Sequence, residues 1–215
     1  MKIVPSILSE DFGEFLKKLR QAETFTDYIQ IDLMDGFFVP SKSFPAEQIN
    51  GIKTTLSFEI HLMADNPLAF IDRIDNKGLK KVIFHFESPA AHQKVIDRLR
   101  ERGLSAGMAI KPETAIQAFR DEVESVDSLL FLTVRPGSYG NPFKPEVLRK
   151  IKDTRRLFPG KVIAVDGGVS PDNLKNLADI GVDYACVGSR IFLNGDPKEN
   201  YGLFINTIEE LEADK

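Results

Sequence analysis

The fold can be inferred from one short segment, Ile29-Gln30-Ile31-Asp32-Leu33-Met34-Asp35-Gly36. It is an apolar, strand-like run that ends in two carboxylates, a methionine and a turn glycine. Asp32 would lie at the end of this strand, a position where the structure alone gives little reason for an acidic residue. Gln30 lies two residues earlier and therefore on the same face of the strand. The segment predicts a buried strand that places polar side chains at the edge of a sheet.

Similar strand-like runs recur along the whole chain and alternate with helical patterns. The predicted strands are residues 3–7, 28–33, 57–62, 81–85, 106–110, 128–134, 162–165 and 183–187. Apolar residues at helical spacing lie between them, as in residues 12–19 and 147–151. Capping signals at Ser9, Asn66-Pro67 and Ser170-Pro171 support these helices.

Strand and helix alternate about eight times, which few architectures accommodate. We predict an α/β fold, a compact (β/α)8 TIM barrel of the phosphate-binding type, as a single domain spanning residues 1–215. The rival architecture is a doubly wound open sheet. It is disfavoured because the Gly-x-Gly-x-x-Gly pattern expected after its first strand is missing.

Composition narrows the function classes. The net charge of −4 gives no electrostatic reason for nucleic acid or an anionic membrane as the main partner. Cys186 is the lone cysteine and cannot form an internal disulfide, which fits a reducing compartment. No signal peptide precedes the first strand, and no apolar run approaches the roughly 20 residues of a membrane span. We expect a cytoplasmic protein that binds a small molecule.

Polar residues end most of the predicted strands. In a barrel the active site lies at these carboxyl ends, which carry Ser6, Asp32, His61, His85, Lys111, Arg135, Asp166 and Gly188-Ser189. Asp32, His61 and Asp166 form a set of two oxygen donors and one nitrogen donor that suits a divalent cation. The two carboxylates can instead serve as an acid and base pair.

Neighbouring polar residues have plainer interpretations. Asp35 precedes a glycine and is expected to shape the turn. His85 and Glu87 are expected to be structural, with an extension of the site as the alternative. His92 lies in a helical stretch and is expected to be solvated.

Glycines form a second group of candidate site residues. Gly167-Gly168 and Gly188-Ser189 would let backbone amides approach an anion closely, and residues 189–192 would begin a short helix facing it. The glycine-containing loop 135–143 suggests a mobile cover that excludes water. An ordinary surface loop is the alternative.

Several strings, taken in chain order, resemble the ribulose-phosphate 3-epimerase family. The resemblance covers nearly the whole chain. It rests on residues 5–12 (PSILSEDF), 31–36 (IDLMDG), 38–40 (FVP), 61–63 (HLM), 134–137 (VRPG), 165–168 (VDGG) and 187–189 (VGS).

The resemblance implies an epimerase that inverts C3 of a pentulose 5-phosphate through an enediolate. Asp32 and Asp166 would be the proton-transfer pair and, with His61, ligands of a divalent metal, zinc or iron. The implied substrate-binding residues are Ser6, Met34, Met63, Gly168, Gly188 and Ser189. The glycine and loop patterns add Gly137, Ser138, Tyr139, Gly140 and Gly167 as candidate substrate-binding residues. Family resemblance also implies a homo-oligomer.

This chain departs from the family pattern at the site. Gln30 stands where the family has a further metal-ligand histidine, and an amide oxygen is a weaker donor to zinc or iron. Lys111 and Arg135 replace asparagines, and Leu132 replaces a methionine. We hypothesise that Lys111 or Arg135 supplies positive charge or recognises an additional anionic group of the substrate. The alternative is that both point outward.

Three function classes follow from this pattern. The first is a C3 epimerase of D-ribulose 5-phosphate or a related ketose phosphate, with or without metal. The second is a non-catalytic or regulatory sugar-phosphate-binding barrel, for which the altered metal site argues. The third is decarboxylation or aldol cleavage with Lys111 in the chemistry, but the Asp-x-Lys-x-x-Asp string of related decarboxylases is absent.

Overall fold

Eight strands close into a barrel in the computed structural model, which describes residues 1–138 and 140–213. The strands are β1 (Lys2–Leu8), β2 (Tyr28–Met34), β3 (Ser57–Met63), β4 (Leu79–His85), β5 (Ser105–Ile110), β6 (Ser128–Leu132), β7 (Val162–Asp166) and β8 (Tyr184–Val187). Each strand is parallel to its sequence neighbours, and β1 closes the ring by pairing with β8. The predicted (β/α)8 barrel is confirmed.

Helices connect the strands on the outside of the ring. They are α1 (Phe12–Ala22), α2 (Pro67–Ile71), α3 (His92–Glu101), α4 (Ile116–Phe119), α5 (Val147–Leu157), α6 (Pro171–Asp179), α7 (Ser189–Phe192) and α8 (Pro197–Ala213), with 3₁₀ helices at Ala46–Gly51 and Arg120–Ser125. Within the described residues, no helix has the length and apolarity to cross a membrane.

Two of the three predicted helix caps are confirmed. Asn66 and Ser170 are the N-cap residues of α2 and α6, each followed by a proline at the start of the helix. The prediction for Ser9 is wrong, because Asp11 caps α1 and accepts the Glu14 N–H at 2.8 Å. The Ser9 hydroxyl instead donates to the Asp11 carbonyl oxygen at 2.8 Å.

Strand β6 ends two residues earlier than predicted. Thr133 still donates its N–H to the Asp166 carbonyl oxygen at 2.8 Å, but its own carbonyl oxygen accepts the Lys144 N–H at 2.7 Å. The chain therefore leaves the sheet after Thr133, and Lys144 returns to hydrogen-bond distance of that residue.

Side chains of β2 alternate between two environments, as strand geometry requires. Ile29, Ile31 and Leu33 pack into the main apolar cluster, which includes buried residues of the helices. Gln30 and Asp32 point to the other side, into the barrel interior, and both are buried. The interior is therefore polar along part of its axis, and this polar part positions the candidate site.

A buried ion pair lies deeper in the same interior. The carboxylate of Glu59 is fully buried and lies 3.0 Å from the ammonium of Lys81. Hydroxyls of Tyr28 and Tyr184 donate to the same carboxylate at 3.2 and 3.1 Å. Because burial and the charge of Glu59 disfavour ionised phenols, the pKa of each tyrosine is raised.

His92 is not the solvated residue that the sequence led us to expect. Its ring lies against Phe84 and Phe86, with ring centroids 5.5 and 5.4 Å away. Its Nδ1 is in hydrogen-bond contact with the carboxylate of Glu122. The pair links the start of α3 to the 3₁₀ helix Arg120–Ser125.

Candidate active site

Asp32, His61 and Asp166 meet at the carboxyl ends of β2, β3 and β7. Asp32 and His61 are paired in the β2–β3 register, which places their side chains next to each other. His61 Nδ1 lies 2.9 Å from Asp32 Oδ1 and 3.4 Å from Asp166 Oδ2. One ligand atom from each residue falls within 4.8 Å of the others. Such a set of two oxygens and one nitrogen can bind a divalent cation.

Gln30 lies beneath the two carboxylates and is fully buried. Its Nε2 donates to Asp166 Oδ2 at 2.7 Å and to Asp32 Oδ1 at 3.0 Å. Its Oε1 accepts from the thiol of Cys186 at 3.1 Å. The amide therefore presents its nitrogen to the carboxylates, whereas the oxygen, which could bind a cation, faces the cysteine.

Burial and charge shift the ionisation of this cluster. Burial, reinforced by the negative charge of Asp166, raises the pKa of Asp32 to about 6, although hydrogen bonds from His61 and Gln30 act in the opposite direction. Burial alone would lower the pKa of His61, but hydrogen bonds to both carboxylates and their charges raise it to about 9. A proton on His61 therefore neutralises part of the negative charge at neutral pH.

His85 and Glu87, for which a structural role was expected, lie in a row directly behind His61. His85 Nε2 lies 2.9 Å from His61 Nε2, and His85 Nδ1 lies 3.1 Å from Glu87 Oε2. Burial lowers the pKa of His85 to about 4. Burial would raise the pKa of Glu87, but hydrogen bonds from His85, Thr114 and the Lys111 N–H lower it to about 2.

A cavity of about 380 Å³ opens above Asp32, His61 and Asp166. The predicted site residues that line it are Ser6, Asp32, His61, Met63, Arg135, Gly137, Ser138, Gly140, Asp166, Gly167, Gly168, Gly188 and Ser189. The sequence analysis missed Asn173 and Arg190, which also line it. Arg190 directly follows Ser189, and this adjacency was the one sequence feature that could have indicated that Arg190 lines the cavity.

Three predicted site residues do not line the cavity. Gln30 is beneath the carboxylates, and Met34 packs against Val39 and Met63 rather than lining the cavity. The ammonium of Lys111 lies 3.8 Å from the centre of the Phe38 ring, away from the cavity lining. Phe38 in turn packs on His85 with ring centres 4.5 Å apart. Tyr139 was also predicted as a site residue, and it lies outside the described residues.

The described part of the loop after β6 forms one wall of the cavity. Gly137 has φ +104°, and a Cβ there would lie 2.9 Å from Val39 Cβ. Gly168, across the cavity rim, has φ +63°, and a Cβ there would lie 2.9 Å from Phe143 Cα. Both glycines are therefore required by backbone conformation and by close packing. Asn141 Nδ2 donates to the Arg135 carbonyl oxygen at 2.9 Å and holds the loop together.

Comparison with known proteins identifies relatives along the full chain. A sequence model of the ribulose-phosphate 3 epimerase family matches residues 2–192. Ribulose-phosphate 3-epimerase of Schizosaccharomyces pombe is 30% identical, with 100% of this chain and 96% of that protein covered. Ribulose-phosphate 3-epimerase of Bacillus subtilis is 30% identical, with 93% and 95% covered. The cytoplasmic isoform of Oryza sativa is 31% identical, with 97% and 94% covered.

Solved structures share the architecture at much lower identity. Orotidine 5'-phosphate decarboxylase of Pyrococcus horikoshii superposes with a TM-score of 0.68 at 16% identity, covering 96% of this chain and 99% of that one. Thiamine phosphate pyrophosphorylase of Pyrococcus furiosus gives a TM-score of 0.66 at 16% identity, covering 98% and 96%. These similarities concern the fold alone.

Proposed function

This chain belongs to the ribulose-phosphate 3-epimerase family, and from that premise we propose that it inverts C3 of a ketose phosphate, D-ribulose 5-phosphate or a related sugar. One observation carries the proposal. Two carboxylates, Asp32 and Asp166, converge at the floor of a cavity with ligand atoms within 4.8 Å of each other and of His61. Inversion of a carbon centre needs such a pair, because the proton leaves one face and arrives at the other.

The chemistry assigned to the carboxylates is proton transfer at a carbon next to a carbonyl group. One aspartate removes the C3 proton and leaves a 2,3-enediolate, and the other delivers a proton to the opposite face. A carboxylate is a stronger base when burial raises its pKa, as it does for Asp32. Hydrogen-bonded donors around the cavity floor orient the two groups without occupying the cavity itself.

Backbone amides at the ends of β7 and β8 are the proposed phosphate site. Gly167, Gly168, Gly188 and Ser189 line the same side of the cavity, and the absence of side chains at the glycines lets an anion approach the N–H groups. Arg135 and Arg190 add positive charge at the cavity wall. The cavity volume of about 380 Å³ suits a small sugar phosphate.

The residues present fit a divalent metal, zinc or iron by family resemblance. Asp32, His61 and Asp166 would hold it, and three protein ligands with open positions are typical of catalytic metal sites. A bound metal would supply Lewis-acid stabilisation of the enediolate oxygen. In the observed orientation Gln30 adds no ligand atom. A homo-oligomer and a cytoplasmic location stay predictions.

A non-catalytic sugar-phosphate-binding barrel is the second candidate. The observation that favours it is the Gln30 amide nitrogen, which occupies both carboxylates as a hydrogen-bond donor. The hypothesis that Lys111 compensates for a weakened metal site finds little support, because its ammonium packs on Phe38. Arg135, which lines the cavity, is the better placed of the two cations.

Hydrogen exchange at C3 separates the two candidates. D-Ribulose 5-phosphate is incubated with the protein in D₂O and followed by NMR. An epimerase incorporates deuterium at C3 and produces D-xylulose 5-phosphate. Saturable binding of the sugar phosphate without exchange, in protein supplied with zinc or iron, would establish the binding protein instead.

A further inference from the structure

Four buried or half-buried side chains form a continuous row behind the candidate site. The row runs from Asp32 through His61 and His85 to Glu87, with contacts of 2.9, 2.9 and 3.1 Å. Each imidazole uses both of its nitrogens in the row. The hydrogen on one ring therefore determines where the hydrogen lies on the next ring.

A backbone group fixes the polarity of the row, meaning the direction in which its hydrogen bonds are donated, at the Glu87 end. The N–H of Lys111 donates to Glu87 Oε1 at 2.8 Å, and the Thr114 hydroxyl donates to the same oxygen. A backbone N–H can only donate, so this oxygen must accept. The other oxygen, Oε2, belongs to an ionised carboxylate and is also an acceptor. His85 Nδ1 faces it and must therefore carry a hydrogen.

The polarity continues through the two rings. His85 is fully buried, and a neutral imidazole with hydrogen on Nδ1 has a lone pair on Nε2. That lone pair faces His61 Nε2 at 2.9 Å, so the hydrogen between the rings belongs to His61. His61 Nδ1 donates its own hydrogen to Asp32 at 2.9 Å when no cation is bound. Because His85 holds the other hydrogen of His61 on Nε2, Nδ1 is the nitrogen that can give up its hydrogen to a cation.

We propose that Glu87 and His85 are positioning residues that keep a hydrogen on Nε2 of His61, so that its Nδ1 can exchange its own hydrogen for a divalent cation between the two aspartates. The proposal deepens the proposed function and depends on it for its catalytic consequence. Neither residue lines the cavity, and neither needs to contact the substrate. Outer-shell partners of this kind orient metal-ligating histidines in general.

Glu87→Gln should reverse the direction of hydrogen-bond donation along the row without removing any of the three metal-ligand candidates. The Lys111 N–H still requires an oxygen, so the new amide turns its nitrogen toward His85 Nδ1. His85 must then accept at Nδ1 and donate from Nε2, which leaves His61 with a hydrogen on Nδ1 alone. A cation could bind Nδ1 only by removing the last hydrogen of that neutral ring, although Asp32, His61 and Asp166 are all still present.

The test combines ¹⁵N NMR of the histidine rings, in protein freed of metal, with Zn²⁺ binding measured by chelator competition. In the unsubstituted protein, His85 is expected to be protonated at Nδ1 and unprotonated at Nε2. Glu87→Gln should exchange these two assignments and weaken Zn²⁺ binding about 10- to 100-fold. Thr114→Val should leave the assignments unchanged, because the Lys111 N–H still fixes the polarity.

Glu122→Gln is the matched control. It makes the same chemical change opposite His92 Nδ1, at the other described histidine–glutamate contact, which has no route to His61. Zn²⁺ binding should be unaffected. Equal losses in the two glutamine variants, or a His85 that carries its hydrogen on Nε2 in the unsubstituted protein, would overturn the proposal. The spectra require no turnover, so they can support this tautomer even if C3 exchange fails and the proposed function is wrong.

Discussion

The side-chain nitrogen of Gln30 lies 2.7 Å from Oδ2 of Asp166 and 3.0 Å from Oδ1 of Asp32. One amide group therefore links the two carboxylates of the candidate site from below. Two nearby carboxylates repel each other when both are ionised, and each N–H donor offsets part of that repulsion. The link is fixed from the opposite side by the Cys186 thiol, which donates to the amide oxygen.

Gln30→His is expected to strengthen zinc binding by about tenfold or more, because it adds an imidazole to a set that now offers one. Zn²⁺ affinity is measured by chelator competition at fixed pH. Gln30→Leu is the control, since it removes the same amide and adds no ligand. In this control, the affinity for zinc should stay the same or decrease. Equal strengthening in both variants would show that loss of the amide, rather than the new imidazole, is responsible.

Asp32→Asn and Asp166→Asn should each abolish epimerisation, with a loss of roughly 10³-fold or more, because an amide cannot exchange the proton. The two variants should differ in which epimer exchanges its C3 hydrogen with solvent deuterium. Each keeps one carboxylate, so each should exchange the C3 hydrogen of one epimer and not of the other. Exchange of both epimers by either variant would contradict the assignment of one carboxylate to each face.

Asp35→Asn provides the comparison for these variants. Its carboxylate accepts the backbone N–H groups of Phe37, Phe38 and Asp65 at 2.8 Å and does not line the cavity. It follows Asp32 by three residues, yet its role is to hold the turn, as the sequence suggested. We expect a modest loss of stability, about 1 kcal/mol, with turnover largely retained.

Much of this arrangement is predictable from the sequence, for a physical reason. Parallel strands in a barrel have their carboxyl ends on one side, so Asp32, His61 and Asp166 had to approach each other once the strands were recognised. Strand boundaries fell within two residues of the structure because turn residues and apolar runs mark them.

Other features depend on contacts between distant segments and have no local signal. No sequence pattern reveals which end of the Gln30 amide faces the carboxylates, because its partners Asp166 on β7 and Cys186 on β8 are distant in the chain. Lys111 follows β5 as expected, yet its ammonium is drawn onto Phe38 from the loop after β2. Glu87 looked structural because its partners, Thr114 and the Lys111 N–H, lie in a later connection.

Gly168→Ala should weaken both the fold and the binding of a phosphorylated substrate. Alanine at φ +63° is strained, and its Cβ would lie 2.9 Å from Phe143 Cα and 3.0 Å from Phe143 N. We expect a loss of about 2–4 kcal/mol in the free energy of unfolding and a raised KM. Gly140→Ala is the control, since φ is +83° but nothing lies within 4 Å of a Cβ. It should lose only about 1 kcal/mol, and equal losses would exclude crowding as the cause.

Glu59→Gln should destabilise the barrel by about 3 kcal/mol, because it leaves the Lys81 ammonium without its charged partner in a mostly buried position. Urea denaturation measures the change. Glu47→Gln is the comparison, since it breaks an ion pair with Arg73 whose side chains are 48% and 63% exposed. That change should be below about 1 kcal/mol. Similar values for both would mean that burial adds little to the Glu59 pair.

Acid should reduce the stability that Glu87 provides. The pKa of this carboxyl is about 2 in the fold and 4.5 ordinarily, so in mild acid the unfolded chain binds the proton first. The contribution is therefore complete above pH 4.5 and is lost as the pH falls toward 2. At about 1.4 kcal/mol per pH unit, the shift sets an upper limit of roughly 3 kcal/mol, which solvent screening of this partly exposed carboxylate reduces. His85 titrates separately, with a pKa lowered to about 4, and its protonation causes a further loss of stability at higher pH.

Urea denaturation of the unsubstituted protein and of Glu87→Gln at several pH values should show that the difference in their stability shrinks as the pH falls from 4.5 toward 2. A difference that does not change with pH would show that Glu87 stabilises the fold by packing rather than by its charge.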